Sequence, residues 1–404
     1  MALKVVRVRA EGRMCKLTES SVVWTGVEDS GAAGEHLGRQ IREQLRGNPP
    51  DAVILFVSPK YDPAELLAAL KEACTPKVMI GCSSAGEFTS DSQGVGHASA
   101  VAIRSSEMRF ACVMGRGLHQ DRTAVAREIV ASFDGVGSRG PAYKSALILT
   151  DALAGHADEL IEQLTVLTGG NYQFFGGGAG DDANFRRTLV FCGTDVASDA
   201  VVALEILSSK PIGVGVQHGW KPASKPLRVT EAQGSRVISL NATSAVEVFE
   251  EHAAQTGQQF NRKDPVPFFL HNIVGIETGQ GYKLRVPLSV NDDGSVSCAA
   301  EIPTGATVCI MSTDARSAGE AAATATRAAI ERLNGNAPQV AIFFDCVATR
   351  LRLGREFESE LKAVEEALGT TRFAGCNTYG QVARAEGQFG GFHNCTAVVC
   401  IIPG

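Results

Sequence analysis

The sequence predicts an α/β protein with mixed, largely parallel sheets covered by helices, built from three related β-α-β-α-β-β units in two domains. Repetition carries most of that prediction. The phrase Gly81-Cys82-Ser83-Ser84-Ala85-Gly86-Glu87 returns as Gly375-Cys376-Asn377-Thr378-Tyr379-Gly380-Gln381, with a looser copy, Gly176-Gly177-Gly178-Ala179-Gly180-Asp181, between them. Each copy follows an apolar run, so each reads as a strand that stops in a glycine-rich loop. The match extends upstream, where Leu45-Arg46-Gly47-Asn48-Pro49-Pro50 and Leu333-Asn334-Gly335-Asn336-Ala337-Pro338 precede apolar runs at a constant offset of 288 residues. A chain of 404 residues also exceeds what one hydrophobic core usually supports.

In the first unit, Val22-Val23-Trp24 is an apolar strand, and Leu37, Ile41 and Leu45 line one face of the helix after it. Ala52 to Phe56 is the next strand. Asp62-Pro63-Ala64-Glu65 is a helix start, with Asp as cap, Pro in the first turn and an acid three residues on. Leu66, Leu70, Ala73 and Cys74 mark that helix's buried face, Val78-Met79-Ile80 leads into the phrase, and Ala98 to Arg104 returns. The second unit repeats this with Phe110 to Val113, Ala146 to Thr150, the face Leu160, Ile161, Leu164 and Leu167, Gln173 to Phe175, and Ala200 to Leu207. In the third, Val308 to Met311 is the expected opening strand. Val340 to Phe344, the face Phe357, Leu361, Val364 and Leu368, Arg372 to Ala374, and Thr396 to Ile402 follow. Helical crossovers imply parallel pairing, and the return strand is expected antiparallel. Between the second and third copies, Pro211 to Ile302 reads differently: a helix from Ala245 to Gln255, then strands Tyr282 to Val290 and Ser295 to Ile302 about the turn Asn291-Asp292-Asp293-Gly294. Residues 1–20 read as an N-terminal extension, 21–243 as a domain of two units, and 244–404 as a domain holding the linking hairpin region and one unit.

Composition excludes several classes of function. A formal charge of -6 offers no basic surface for nucleic acid or anionic membranes. No apolar stretch approaches the roughly 18 residues that span a bilayer, and Met1 to Arg13 lacks the continuous apolar core of a signal peptide. The 11 cysteines are scattered without a Cys-x-x-Cys pair, which argues for a reducing cytoplasm and against structural zinc. No phosphate loop occurs, and the triple glycine at 176–178 lacks the spacing of a dinucleotide fingerprint.

Small ligands bind at the carboxyl ends of parallel strands, where all three phrases fall. Gly81, Gly176, Gly177, Gly178 and Gly375 are expected to expose backbone N–H groups toward a shared hollow. Ser83, Ser84, Asn377, Thr378 and Tyr379 supply polar side chains, and Glu87, Asp181 or Asp182 can meet a ligand amine or cap a following segment. Cys82 and Cys376 read either as small residues at a turn or as thiol nucleophiles, although the middle copy carries Gly177 there.

The phrase at 81–87, the run Phe174 to Asp182, His218-Gly219-Trp220 and the closing Gly375 to Gly380 with His393-Asn394 together resemble the FIST family, over nearly the whole chain. The resemblance implies N-terminal and C-terminal FIST domains and a cytoplasmic, non-catalytic sensory protein that binds a small ligand such as an amino acid. With no output domain recognised beside the FIST pair, it implies signalling through a separate protein such as a histidine kinase or cyclase. Some bacterial members are similar to haem-dependent nitric-oxide sensors, so haem is the alternative cofactor, with His218, His156 and His271 as candidate axial ligands. A thiol-dependent enzyme using Cys82 or Cys376 is the further alternative.

Overall fold

The computed structural model describes residues 6–7, 18–138, 140–384 and 391–404, so most of the expected N-terminal extension lies outside the described residues. The first unit runs from an outer strand, Thr18–Thr25, through the helix Ser30–Gln44 to a fully buried centre strand, Ala52–Val57. A second helix, Pro63–Cys74, leads to the phrase strand Val78–Ser83, a short hairpin and the return strand Ala98–Ser105. Helix starts follow local chemistry. Asp29 accepts from the Ala32 N–H at 2.7 Å, and Asp62 accepts from the N–H groups of Ala64 and Glu65 ahead of Pro63. The phrase and centre strands pair parallel, as the helical crossover requires, while the return strand is antiparallel to the centre strand and the outer strand is antiparallel to it.

The second unit repeats this order: Met108–Arg116, Tyr143–Thr150, Gln173–Gly178 and Ala200–Ser208 form its sheet, under the helices Arg122–Ala131 and Ala157–Leu167. The third has Pro338–Cys346 at its centre, Phe373–Thr378 as phrase strand and Ala397–Pro403 returning, under Ala315–Glu331 and Phe357–Leu368. Its outer strand is not the expected Val308 to Met311. Gly213–Gln217 takes that place, antiparallel to the return strand. Thr307–Ser312 belongs instead to an inserted antiparallel sheet, against Ile273–Thr278. Both runs are short and apolar and therefore look alike in sequence; the insertion separates the true outer strand from its helix.

Packing settles the choice. A Cβ at Gly215 would fall 1.8 Å from the Ala325 carbonyl oxygen, and one at Gly213 would fall 1.9 Å from that of Ala329. A glycine-alternating strand thus lets an alanine-rich helix lie directly on its backbone. The inserted sheet also corrects the expected hairpin. Tyr282 to Val290 is not one strand: Gly281–Arg285 pairs back on Ile273–Thr278, and only Pro287–Val290 pairs with Val296–Cys298. Pro287 lacks an N–H, which marks the break.

The hairpin that follows each phrase does not complete its own sheet. Glu87–Thr89 of the first unit pairs with the third unit's phrase strand, Gln381–Arg384 of the third with the second's, and Val190–Cys192 of the second with the first's. The exchange is cyclic and closes three sheets into a ring. Their inner faces share one core, in which Phe56 and Phe344 meet edge to face at 5.6 Å, among Ile80, Leu147, Leu149, Phe175 and Ile342. Helices cover each outer face with a separate apolar cluster.

Gly215→Ala is expected to lower the unfolding free energy by about 2–4 kcal/mol, because the clash is with helix backbone that cannot rotate away. Urea denaturation measures it; a loss under about 0.5 kcal/mol would contradict the strand–helix contact.

Candidate functional site

The carboxyl ends of the three phrase strands gather at one place and interlock. Ala85 N–H donates to the Asn377 carbonyl and Asn377 N–H to that of Gly86; Gly180 donates to Ser83, Tyr379 to Gly178, and Gly178 to Gly380. This corrects the expectation of bare amides facing a hollow, since the amides are spent joining corner to corner. The leading glycines also have a packing duty. Added Cβ atoms at Gly81, Gly176 and Gly375 would lie 2.4, 2.0 and 1.9 Å from the carbonyl oxygens of Leu55, Ile148 and Phe343, the register partners on each centre strand. Gly177 and Gly178 are pressed the same way by Thr378 and Ala152.

Several other candidate side chains are spent. Ser83 Oγ receives the Leu189 N–H at 2.9 Å and so ties in the exchanged hairpin. Thr378 Oγ1 donates to the Asp345 carbonyl and accepts from Gln381. Asp181 accepts the N–H groups of Phe185, Arg186 and Arg187 and the Tyr379 hydroxyl, whose ring stacks on Phe185 at 4.4 Å. That carboxylate is full and anchors the 182–187 turn. Cys82 and Cys376 are completely buried in the central core, and burial followed by contact with Cys82 pushes the Cys376 thiol well up. A nucleophile needs thiolate and access; Cys376 has neither, and Cys82 has no access.

What the corners leave is a cluster of buried polar groups around Gly86. Tyr61 Oη, one Asp182 oxygen, Arg350 Nε and both amide atoms of Asn377 have no hydrogen-bond partner. A Cβ at Gly86 would sit 2.8 Å from Asn377 Oδ1 and 3.3 Å from Arg350 Nε, so these groups adjoin. Ser58, at the end of the first centre strand, donates to the other Asp182 oxygen at 3.0 Å. Asp182 sits at a φ of 54°, in the left-handed region, on the half-exposed rim. Burial pushes its carboxyl up, against the pull of Ser58 and Arg350. Burial, with Glu87 adding, raises Tyr61 to about 12. Unsatisfied buried polar atoms each cost roughly 1–3 kcal/mol, and their concentration here makes this cluster the candidate site. Arg350, on the helix Val347–Leu353, and Tyr61 are not among the residues singled out in the sequence; neither lies in a phrase, and only the ring brings them together.

Glu87 belongs to this cluster but resembles its repeat counterpart. Gln381 donates to Thr378 and accepts the Thr396 N–H at 3.3 Å; Glu87 bonds Ser84 and accepts the His97 N–H at 3.0 Å. Burial pushes Glu87 to about 8, so at neutral pH it is largely the acid, a stand-in for the amide.

Cavities also lie away from this cluster. One of about 740 Å³ lies between the helix Ala157–Leu167 and the inserted sheet, lined by His156, Asp158, Glu301, Lys283 and Arg285 among others. Burial works against the Asp158 charge, yet Arg285 and Lys283 beside it hold that carboxyl below its ordinary range. The candidate haem ligands differ in their surroundings. His218 uses both ring nitrogens, Nε2 toward the Tyr282 carbonyl and Nδ1 toward the Trp220 N–H. His271 is exposed, and His156, paired with Glu301 at 3.0 Å, lines the 740 Å³ cavity. Among the described residues no three His, Cys, Asp or Glu side chains converge as a metal requires, and no helix is long and apolar enough to cross a membrane.

Because folding raises the Glu87 pKa from the ordinary 4.5 to about 8, its stabilising proton is fully held below pH 4.5 and lost as pH rises toward 8. Glu87→Gln is therefore expected to gain on the parent by on the order of 3 kcal/mol between pH 5 and 8. Denaturation series at both pH values check this; a constant difference would refute the acid assignment.

A FIST N domain model matches residues 51–243 and a FIST C domain model matches residues 245–384. No curated protein matches the chain. The two models together cover most of the sequence in the expected order, and the chain belongs to the FIST family of sensory and signalling domains.

Proposed function

We propose that the protein is a non-catalytic sensor that binds a small zwitterion, an amino acid or a similar metabolite, in the cluster around Gly86. The observation that carries this reading is the set of unpartnered buried atoms on Tyr61, Asp182, Arg350 and Asn377. Their chemistry is complementary to such a ligand. A guanidinium receives a carboxylate through a directional pair, and Asp182 with Asn377 Oδ1 receives an ammonium. Arg350 is free for the task, being in no ion pair within 4 Å among the described residues.

Rigid closure of two domains on the ligand, the simplest sensor motion, would tear the exchanged hairpins. A signal carried by local movement fits the ring better. Ligand contact at Arg350 and Asp182 would draw together the helix Val347–Leu353 and the 182–187 turn, whose Phe185 is exposed, and a separate partner such as a histidine kinase or cyclase would read that surface. The ten described cysteines are all free thiols, in keeping with a cytoplasmic setting.

A thermal-shift panel of the standard amino acids is expected to contain at least one that raises Tm by several degrees at saturating concentration. Arg350→Gln and Asp182→Asn should each weaken that ligand at least about tenfold while keeping the parent's own Tm within a few degrees. A panel with no responder, or a responder unaffected by both substitutions, would remove the site.

A further inference from the structure

The cavity of about 740 Å³ beside the helix Ala157–Leu167 shares no residue with the cluster around Gly86. Its volume is that of a ligand pocket. Residues from both ends of the helix line it. His156 caps the start, and Arg384 lies past the finish, where its Nη1 donates to the Gly170 and Tyr172 carbonyls at 3.0 and 2.8 Å. A helix of 11 residues is roughly 16 Å long, so the cavity is an elongated trough. Ile161 of the helix and Ile276 of the inserted sheet both line it and give it apolar walls.

The two ends of the trough differ in chemistry. With His156 neutral, three carboxyl groups at the helix start, Asp158, Glu159 and Glu301, stand against two cations, Lys283 and Arg285. Asp158 is spent, since it accepts from Arg285, from Lys283 at 2.5 Å and from the Phe392 N–H at 2.9 Å. Arg285, 1% exposed, also donates to the carbonyls of Glu301, Leu284 and Phe392, which fixes this wall. Glu301 is not spent. One of its oxygens meets His156 Nδ1 at 3.0 Å, while the other is buried without a partner. At the far end Arg384 is in no ion pair among the described residues, and its carbonyl bonds use Nη1 alone. An unfilled acceptor thus stands at one end and an unpaired guanidinium at the other.

We propose that this cavity is a second binding site, for a free peptide of three or four residues, with the peptide's ammonium at Glu301 and its carboxylate at Arg384. Length selects the class of ligand. An extended chain advances about 3.3–3.6 Å per residue, so three or four residues set their terminal charges roughly 10–14 Å apart and leave a hydrogen-bond length at either end. A single amino acid, with its charges under about 4 Å apart, reaches one end only. The guanidinium suits a terminal carboxylate by its paired N–H groups, and Ile161 and Ile276 favour apolar side chains between the ends.

The test titrates the full-length protein with the tetrapeptide Ala-Leu-Leu-Ala by calorimetry. Binding is expected at millimolar concentration or below. Acetylating the peptide's amino terminus and amidating its carboxyl terminus should each weaken binding at least about tenfold. Free leucine should not displace it. Arg384→Gln should abolish the cost of amidation and Glu301→Gln that of acetylation; the comparison of capped with free peptides on the parent stands even where a variant fails to fold. Hydrogen exchange of the parent with peptide should slow in Ala157–Leu167 and Gly281–Arg285. No binding at millimolar peptide, equal binding of the capped forms, displacement by leucine, or protection confined to other elements would each overturn the proposal.

Discussion

A phrase strand has two edges, and its own unit supplies a partner for only one of them. The bare edge is buried beside the central core, where unpaired N–H and C=O groups are costly. Each unit meets this need for its neighbour by sending out the hairpin that follows its phrase. The rest of the architecture follows from that exchange. It closes the ring, aligns the inner faces on one apolar core, and brings the three phrase ends to one place. No unit can complete its sheet alone, so the chain folds as an interlocked whole even though its sequence is modular.

The same exchange changes where ligand chemistry can come from. Glycine-rich strand ends commonly hold ligands through backbone amides, but here those amides are used to hold the corners to one another. The polar cluster is assembled from within and outside the phrases: Asn377 from the third phrase, Arg350 from a short helix, Tyr61 from the loop ahead of the second helix, and Asp182 from the turn that Asp181 anchors. Buried polar atoms without partners oppose folding, and a ring this firmly tied can carry several of them.

The repeat is symmetric in backbone and divergent in chemistry. Phe56, Leu149 and Phe344 pair with Cys82, Gly177 and Cys376 at one register position. Two residues further along the centre strands stand Ser58, Asp151 and Cys346. Ser58 supports Asp182, Asp151 ties Thr188 to the Leu153 and Asp199 N–H groups, and Cys346 is buried in one apolar cluster with Cys395. One scaffold position therefore serves the polar cluster, a structural knot and a buried thiol.

Local rules read from the sequence hold where the physics is local. Helix caps at Asp29 and Asp62, the faces of Leu37, Ile41 and Leu66, and the parallel pairing after a helical crossover depend only on nearby residues, and the repeat and family were legible for the same reason. Decisions between distant segments were not legible. Gly213–Gln217 and Thr307–Ser312 are both short and apolar, and only the carbonyls of Ala325 and Ala329 select the glycine-bearing strand. Whether an amide is bare or bonded, and whether Arg350 meets Asn377 or water, depends on which hairpin crosses which edge. Hydrogen-bond satisfaction in a buried ring is a property of the assembled chain, and tertiary structure alone decided it.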